Sequence, residues 1–219
     1  DAVITSDNNA FDFMKRYRDE LFPDTPLFFC GLNNYSAKMT EDMDRVTGIA
    51  EKADIKGTIE LALDLHKEKD KVLIINDNTT TGNQLSDELD SVEEEIDADI
   101  EATDGFEMDS LLDRIDGLSD EYIILLLSVI RDRDGDVFTY TGACNMISEG
   151  ADVPVYGPWA FYVGEGAVGG HVISGRHQGE KIGRMVDQYL SGKDMDDFSI
   201  ERCECYHMFD YKEMKEFSI

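Results

Sequence analysis

Polar side chains that could recognise a small ligand follow one strongly apolar segment of the chain. Residues 72–75, Val-Leu-Ile-Ile, read as a strand buried on both faces, and residues 76–82 after it read NDNTTTG. The amides and hydroxyls of this segment donate and accept hydrogen bonds, and an acidic helix is predicted directly after it. Open α/β sheets bind ligands at the carboxyl ends of parallel strands, beside helix N-termini. The sequence therefore predicts a recognition loop here.

Similar polar or aromatic clusters follow the other predicted strands. The candidate ligand-binding residues are Asp7, Asn8, Asn33, Asn34, Asn78, Thr79, Thr80, Arg131, Trp159 and Tyr162. Each Asn, Asp or Thr alone could simply cap a helix or form a turn, and Trp159 could be a core residue. Their joint occurrence at strand ends favours binding, with Arg131 pairing with a ligand carboxylate and Trp159 or Tyr162 stacking on its body.

Predicted strands alternate with predicted helices along the whole chain. Strands are expected near residues 2–5, 27–30, 72–75, 98–102, 122–128, 153–156 and 171–174. Helices are expected at 10–21, after a cap at Asp54, after the 76–82 loop, at 108–115, 140–148 and 178–190, and the tail reads as a strand and a short helix. No internal repeat interrupts this order, which predicts an α/β fold with parallel sheets flanked by helices.

The charge of the chain excludes two classes of partner. Forty-eight acidic and twenty basic residues give a formal net charge of −28. Such a charge repels phosphate backbones and anionic lipids, so we expect no nucleic-acid partner and no electrostatic membrane docking. The acidic block at residues 87–120 is typical of solvated helix faces.

Motifs for catalysis, cofactors and metals fail their context tests. Residues 164–169 fit GxGxxG, but a strand rather than a helix is predicted to follow, and the 132–136 segment lacks the glycine and glutamate positions of a calcium loop. The four cysteines and four histidines show no metal-ligand spacing, and no phosphate loop or nucleophile elbow occurs. We therefore expect no enzyme activity, no cofactor and no metal. A Rossmann-like nucleotide-using enzyme is the less favoured alternative.

Several segments resemble extracytoplasmic solute-binding proteins with the type I periplasmic-binding-protein fold. This family includes the uncharacterised ABC-type substrate-binding proteins and the similar sensor regions of histidine kinases and diguanylate cyclases. The matching segments are 6–10, 29–34, 46–48, 76–82, 125–128, 131–135, 153–157, 168–170, 174–175, 178–179 and 208–211. The resemblance implies two α/β lobes joined by crossover strands, with a ligand held between them.

The resemblance also implies where the lobes lie in the chain. Residues 1–47 and 168–204 are expected to form the first lobe, and residues 48–167 and 205–219 the second. Family members carry further β-α units before the position of Asp1, so the first lobe is expected to lack its N-terminal β-α units. An incomplete lobe exposes a sheet edge, which makes a homodimer an expected partner state.

The implied function is binding of a small polar organic ligand, such as an amino acid or a nucleoside. The favoured role is the extracytoplasmic sensor input of a membrane-tethered signal transducer, of the histidine kinase (two-component) or diguanylate cyclase type. The alternative is the substrate-binding protein of an ABC transporter, whose partner would be the permease. A purely structural dimerisation domain is a third possibility.

Overall fold

The computed structural model describes residues 1–103 and 105–219 and divides the chain into two compact units. Unit 1 comprises Asp1–Lys52 and Ser174–Glu204, and unit 2 comprises Ala53–Ile173 and Cys205–Ile219. The predicted lobe boundary after residue 204 coincides with a change of unit, and the boundaries predicted after residues 47 and 167 lie five and six residues before the changes after Lys52 and Ile173. The assignment of lobes itself stays a prediction.

Strands and helices follow one another along the whole chain. In chain order the elements are β1 (Val3–Ser6), α1 (Asp7–Leu21), β2 (Leu27–Asn33), β3 (Val46–Glu51), α2 (Ile55–Leu65), β4 (Lys71–Ile75), α3 (Thr80–Asp90), β5 (Asp99–Ala102), α4 (Met108–Asp116), β6 (Tyr122–Leu126), α5 (Tyr140–Glu149), β7 (Val155–Tyr156), β8 (Gly169–Val172), α6 (Gly175–Leu190), β9 (Glu201–Arg202), β10 (Tyr206–Phe209) and α7 (Tyr211–Glu216). Two strands are consecutive at β2-β3, β7-β8 and β9-β10. The α/β fold with helix-flanked parallel sheets is confirmed.

Unit 1 is a parallel sheet with the strand order β1-β2-β3-β9 and a helix on each face. Side chains of β2 alternate between the two faces, so the strand contributes to two cores. The core beneath α1 contains Phe11, Met14, Leu27, Phe29 and Leu32. The core beneath α6 contains Phe28, Cys30, Ile49, Ile182, Met185 and Met195.

Unit 2 has the strand order β10-β8-β7-β6-β4-β5. Its strands run parallel except for the antiparallel pair β8 and β10. The apolar strands β4 and β6 are central and almost fully buried, as expected for strands covered on both faces. The carboxyl ends of β4, β6 and β7 therefore lie at one edge of this sheet.

Two of the three predicted lobe boundaries, those after residues 47 and 167, lie within or directly before regular strands, β3 and β8. β3 pairs with both β2 and β9 inside unit 1, and β8 pairs with β7 and β10 inside unit 2. Strand β9 was not predicted, since two residues are too short to show a strand pattern. None of the helices in the described ranges is long and apolar enough to cross a membrane.

A buried histidine in unit 2 should make stability pH dependent. His66 ends α2, and its Nε2 is hydrogen bonded to the Tyr156 hydroxyl (2.9 Å). Burial, and secondarily the charge of Lys69, lower the pKa of His66. His66 therefore binds a proton more tightly in the unfolded chain than in the folded one. Its contribution to the free energy of unfolding is complete above the unfolded pKa of about 6.5 and is lost as pH falls below that value.

We predict that His66→Gln reduces the loss of stability on acidification. Glutamine can still hydrogen bond to Tyr156 but does not titrate, so the fall in the urea midpoint from about pH 7.5 to about pH 5.5 should be smaller than in the parent chain. Other titrating groups are common to both proteins and cancel in the difference. Equal falls in both proteins would contradict the assignment.

Candidate functional site

The carboxylate of Asp77 organises the loops at the carboxyl edge of the unit 2 sheet. Asp77 is 2% exposed. Its Oδ2 accepts hydrogen bonds from the Ser128 hydroxyl (3.1 Å) and from the backbone N–H groups of Ile130 (2.8 Å) and Arg131 (3.4 Å). Its Oδ1 accepts from the backbone N–H (3.1 Å) and the hydroxyl (2.6 Å) of Thr79. One buried side chain therefore joins the loop after β4 to the loop after β6.

Asn76 adds a second set of bonds at the same edge. Its Nδ2 donates to the Gly82 carbonyl (2.8 Å) and the Ser86 hydroxyl (3.0 Å), and its Oδ1 accepts from the N–H of Ser128 (3.1 Å). The Asn76 backbone exchanges two bonds with the Thr103 hydroxyl. The ends of β4, β5 and β6 and the first turns of α3 are thus fixed relative to one another.

These bonds hold four predicted site residues in place. Asn78, Thr80 and Arg131 are exposed, whereas Thr79 is half-buried. Thr79 is the N-cap of α3, and its hydroxyl accepts from the N–H of Gly82 (3.2 Å) while it donates to the Asp77 carboxylate. The hydroxyl of Thr79 therefore has a capping role, and the exposed polar surface belongs to the other three.

The aromatic segment after β7 contains two buried rings and one exposed ring. Tyr162 is fully buried, and its hydroxyl donates to the Leu127 carbonyl (2.6 Å). Burial also raises the pKa of this hydroxyl well above its usual value. Trp159 is 8% exposed and stacks on Phe161 (ring centroids 5.9 Å apart), which is 39% exposed and lies 4.7 Å from the Tyr140 ring.

The adjacent rings of Phe161 and Tyr162 therefore differ in their exposure to solvent. Phe161 presents aromatic surface to solvent, while Tyr162 has a structural role in the core. The predicted ligand contact at Tyr162 stays a prediction. In the described conformation the Tyr162 ring exposes no surface to a ligand. Nothing in the sequence distinguishes these adjacent aromatic residues, because the 3-10 turn Ala160–Tyr162 decides which one points inward.

In unit 1, the predicted residues Asn8 and Asn33 are joined to each other. The Asn8 side chain donates to the carbonyl of Asn33 (3.2 Å) and accepts from its N–H (3.1 Å). This pair fixes the start of α1 against the end of β2. Both of these hydrogen-bonding atoms of the Asn8 amide are used, so its main role in the described conformation is to position the neighbouring backbone.

Two other predicted residues of unit 1 adopt unusual backbone conformations. Asp7 has φ +70° and Asn34 has φ +52°, and both are exposed. Gly31 lies at a register shift in β2 and has φ +66°. A Cβ on Gly31 would lie 3.4 Å from the Asp7 N and Oδ1 atoms. Asp and Asn tolerate this region better than other non-glycine residues, and such residues are enriched at ligand sites.

Gln178 ties the loops of unit 1 together from the first turn of α6. The side chain is buried, its Oε1 accepts from the N–H of Gly31 (2.8 Å), and its Nε2 donates to the Glu51 carboxylate (2.6 Å). One amide therefore connects α6 with the ends of β2 and β3. This corresponds in unit 1 to the role of Asp77 in unit 2.

We expect Gln178→Ala to lower the free energy of unfolding by about 1–3 kcal/mol, because it removes the acceptor of the buried Gly31 amide. Gln188→Ala is the matched control on the same helix, where the side chain accepts from Lys193 at the exposed surface (3.3 Å), and its effect should stay within about 0.5 kcal/mol. Hydrogen exchange at the Gly31 amide and urea unfolding followed by circular dichroism measure both. Equal losses in the two variants would contradict the role given to Gln178.

Asp77 and Gln178 are absent from the set of residues predicted as ligand contacts. Both side chains are buried: Asp77 bonds to Thr79 and the loop of Arg131, and Gln178 bonds to β2 and β3. A sequence pattern for exposed polar loops does not select such residues. The 76–82 motif did contain Asp77, and a carboxylate after an apolar strand is a signal that could have been used. Gln178 lies far from its partners in sequence, and its one signal was the matching segment 178–179, which does not show what the side chain contacts.

The absence of a metal site is an expectation from the sequence and stays one. In residues 1–103 and 105–219, no group of three or more His, Cys, Asp or Glu side chains is arranged to hold a metal ion. In unit 2, His171 Nδ1 lies 2.5 Å from Asp54 Oδ2, and the His171 ring centroid lies 4.9 Å from that of His207. This geometry gives a hydrogen bond and a ring contact.

Comparison with solved structures places the chain in a known fold. No protein-family model and no curated protein matches the sequence. Three solved structures align over 100% of the chain. They are an ABC domain from Streptococcus pneumonia in complex with L-Trp (14% identity, 76% of that chain, TM-score 0.69), the ligand-free, open CD0873 from Clostridium difficile, a substrate binding protein with adhesive properties (12%, 74%, 0.72), and a conserved domain protein from Vibrio cholerae (13%, 74%, 0.68).

At these identities the likeness defines the fold alone. The chain has the α/β fold found in substrate-binding proteins, with parallel sheets flanked by helices. The expected type I periplasmic-binding-protein-like fold agrees with this result.

Proposed function

We propose that the chain binds a small organic molecule in the manner of a substrate-binding protein, and that the ligand is an amino acid. The observation that carries the proposal is the bonding of Asp77, which fixes exposed Asn78, Thr80 and Arg131 at the carboxyl edge of a parallel sheet. Ligands bind at this edge in open α/β sheets. A related fold carries L-Trp in the Streptococcus structure, which supports the choice of ligand class.

The chemistry of this edge suits a zwitterionic ligand with an apolar side chain. Arg131 can pair with a carboxylate through two parallel hydrogen bonds, and Asn78 and Thr80 supply further donors and acceptors. The exposed Phe161 ring, stacked on Trp159, offers an aromatic surface for an apolar body. Asp7 and Asn34 of unit 1 stay candidate contacts for an amino-acid ligand. The Asp7 carboxylate suits an ammonium group.

The cellular role that we favour is delivery of the ligand to an ABC permease from outside the cytoplasm. The substrate-binding role of CD0873 supports this choice over the sensor role. Sensor input to a membrane-bound histidine kinase or diguanylate cyclase would use the same binding step and is the alternative. Both roles require binding without turnover, so the ligand should be recovered chemically unchanged after incubation with the protein.

The test is a thermal-shift screen of the twenty amino acids, with nucleosides and sugars as comparison sets, followed by calorimetry on the strongest amino acid. A ligand at about one hundred times its Kd should stabilise the protein by about 2.7 kcal/mol. If no amino acid raises the melting temperature, the proposed ligand class is wrong. If another set does so instead, the class changes and the binding function stands.

We predict that Arg131→Ala weakens binding of that amino acid at least tenfold, because it removes a charge-assisted pair with the carboxylate. Arg176→Ala is the matched control, since Arg176 is highly exposed on α6 and pairs with Glu180 of the same helix. The control should bind as the parent chain does. Equal affinities of all three proteins would remove Arg131 from the site.

A further inference from the structure

Two histidines lie side by side on neighbouring strands of unit 2. His171 of β8 and His207 of β10 are directly opposite each other in the antiparallel pair, and their ring centroids are 4.9 Å apart. Side chains of directly opposite residues lie on the same face of a sheet. The strand register therefore brings together two imidazole rings that are far apart in sequence.

A carboxylate holds the His171 ring in one orientation. The Nδ1 atom of His171 lies 2.5 Å from Oδ2 of Asp54, which is the N-cap of α2. Because a carboxylate accepts hydrogen bonds, Nδ1 donates its proton to it, and in the neutral ring the lone pair is then on Nε2. Histidines that bind metals almost always donate their other ring N–H to such a partner. His171 therefore has the arrangement of a metal ligand, with Nε2 as the ligating atom.

The backbone of His171 is fixed as well. The buried Thr58 hydroxyl of α2 accepts from the N–H of His171 (3.2 Å) and donates to its carbonyl (3.4 Å). The Asp54 carboxylate in turn accepts from the N–H of Gly57 (2.9 Å), and a Cβ on Gly57 would clash with Asp54 Oδ2. The start of α2 thus positions both the backbone and the ring of His171.

Both rings can be reached from solvent. The His171 side chain is 29% exposed, and His207 is exposed, so its ring can turn towards His171. Lys56 is a neighbouring base in the first turn of α2, and its ammonium group pairs with Glu95 (2.5 Å). The net charge of −28 raises the local concentration of cations around the chain.

We propose that His171 and His207 together bind one divalent transition-metal ion, with water completing its coordination. Imidazole nitrogen suits Ni²⁺, Cu²⁺ and Zn²⁺, whereas Mg²⁺ and Ca²⁺ prefer oxygen ligands. The site has two protein ligands rather than three, and Asp54 acts as a positioning residue behind His171. This proposal goes against the expectation of no metal, because spacing along the chain does not reveal a pair formed across two strands.

The ion connects two separate parts of the chain within unit 2. Strand β8 precedes the segment Ser174–Glu204 of unit 1, and β10 belongs to the C-terminal segment Cys205–Ile219, which follows it. A metal bound to both strands therefore fastens the C-terminal segment to the unit 2 sheet. Because the unfolded chain does not hold the two rings together, the metal should raise the stability of the folded protein.

Calorimetric titration of the 219-residue chain with nickel chloride tests the proposal, after treatment with a chelator and its removal. We expect one Ni²⁺ per chain, and His171→Ala and His207→Ala should each raise the Kd for Ni²⁺ at least tenfold. His177→Ala is the matched control, since His177 is an exposed histidine on α6 of unit 1, and it should bind as the parent chain does. Magnesium should not compete.

Asp54→Asn tests the positioning role. The asparagine carbonyl can still accept from the N–H of Gly57, so its NH2 group faces His171 and donates to Nδ1. The ring proton then moves to Nε2, which blocks the ligating atom. We expect the Kd for Ni²⁺ to rise at least tenfold, and ¹⁵N NMR of the metal-free His171 ring to show the proton on Nε2. An unchanged tautomer together with an unchanged Kd would contradict this role.

The thiols of Cys203 and Cys205 are the competing ligands for such an ion. The double variant Cys203→Ser/Cys205→Ser should bind Ni²⁺ as the parent chain does. Circular dichroism establishes that each variant is folded, and amino-acid binding, which is proposed for other residues, should persist in all of them. A parent chain that binds no Ni²⁺ at about 1 mM, equal Kd values for the parent and both histidine variants, or binding lost only in the cysteine variant would each overturn the proposal.

Discussion

Asp77→Ala is expected to lower the free energy of unfolding of unit 2 by about 3–5 kcal/mol and to abolish ligand binding. The substitution removes the acceptor of five hydrogen bonds and leaves the buried Ser128 hydroxyl and the Ile130 amide without it. Each buried donor that loses its partner costs about 1–3 kcal/mol. The loops that carry Asn78 and Arg131 then lose their common attachment.

Asp77→Asn makes the same test with less change in volume. With the NH2 group in the place of Oδ2, the side chain cannot accept from the backbone N–H groups of Ile130 and Arg131. A substantial part of the loss in the free energy of unfolding should therefore persist. Asp134→Asn is the control, because Asp134 is exposed in the loop after β6. It should change the free energy of unfolding by no more than about 0.5 kcal/mol. The single tryptophan, Trp159, is buried in unit 2, so its fluorescence during urea unfolding reports on this unit. A stable Asp77→Ala variant that still binds the ligand would contradict the central role of this carboxylate.

Gly82→Ala is expected to destabilise unit 2 by about 2–3 kcal/mol, which is opposite in sign to the usual effect of this change inside a helix. Alanine normally stabilises a helix by about 1 kcal/mol relative to glycine. At Gly82, however, a Cβ would lie 2.1 Å from the Asp77 carbonyl oxygen and 2.4 Å from its Oδ1. The backbone of the recognition loop would have to move to accommodate it.

Gly150→Ala is the matched control in unit 2. Gly150 follows α5 with φ −89°, and a Cβ there would meet nothing closer than 3.5 Å. Its effect should therefore stay within about 0.5 kcal/mol when measured by the same fluorescence transition. If Gly82→Ala stabilised the protein, the close approach of α3 to the Asp77 backbone would be wrong.

The parts of the fold that were predictable depend on local sequence. The apolar run of β4, the cap at Asp54 and the polar turn before α3 each contain their own signal, because burial on both faces and N-capping restrict residue types within a few positions. The structure bears out these elements with small changes in their ends. The N-cap of α3 at Thr79 is likewise a feature that the local sequence determines.

The parts that were not predictable depend on residues far apart in sequence. The bonds of Asp77 reach the loop after β6, and those of Gln178 reach β2 and β3, so neither function can be inferred from neighbouring residues. The burial of Tyr162 beside the exposed Phe161 follows from one turn that no periodicity describes.

The path of the chain between the units has a consequence for biosynthesis. The Thr47 hydroxyl bonds to the Ser199 carbonyl, 152 residues later, and β9 completes a sheet whose other strands precede residue 52. Such distant pairing slows folding, because a long loop must be ordered first. A nascent polypeptide leaving the ribosome cannot finish unit 1 until most of unit 2 has been translated, and until then the β3 edge of the sheet lacks its β9 partner.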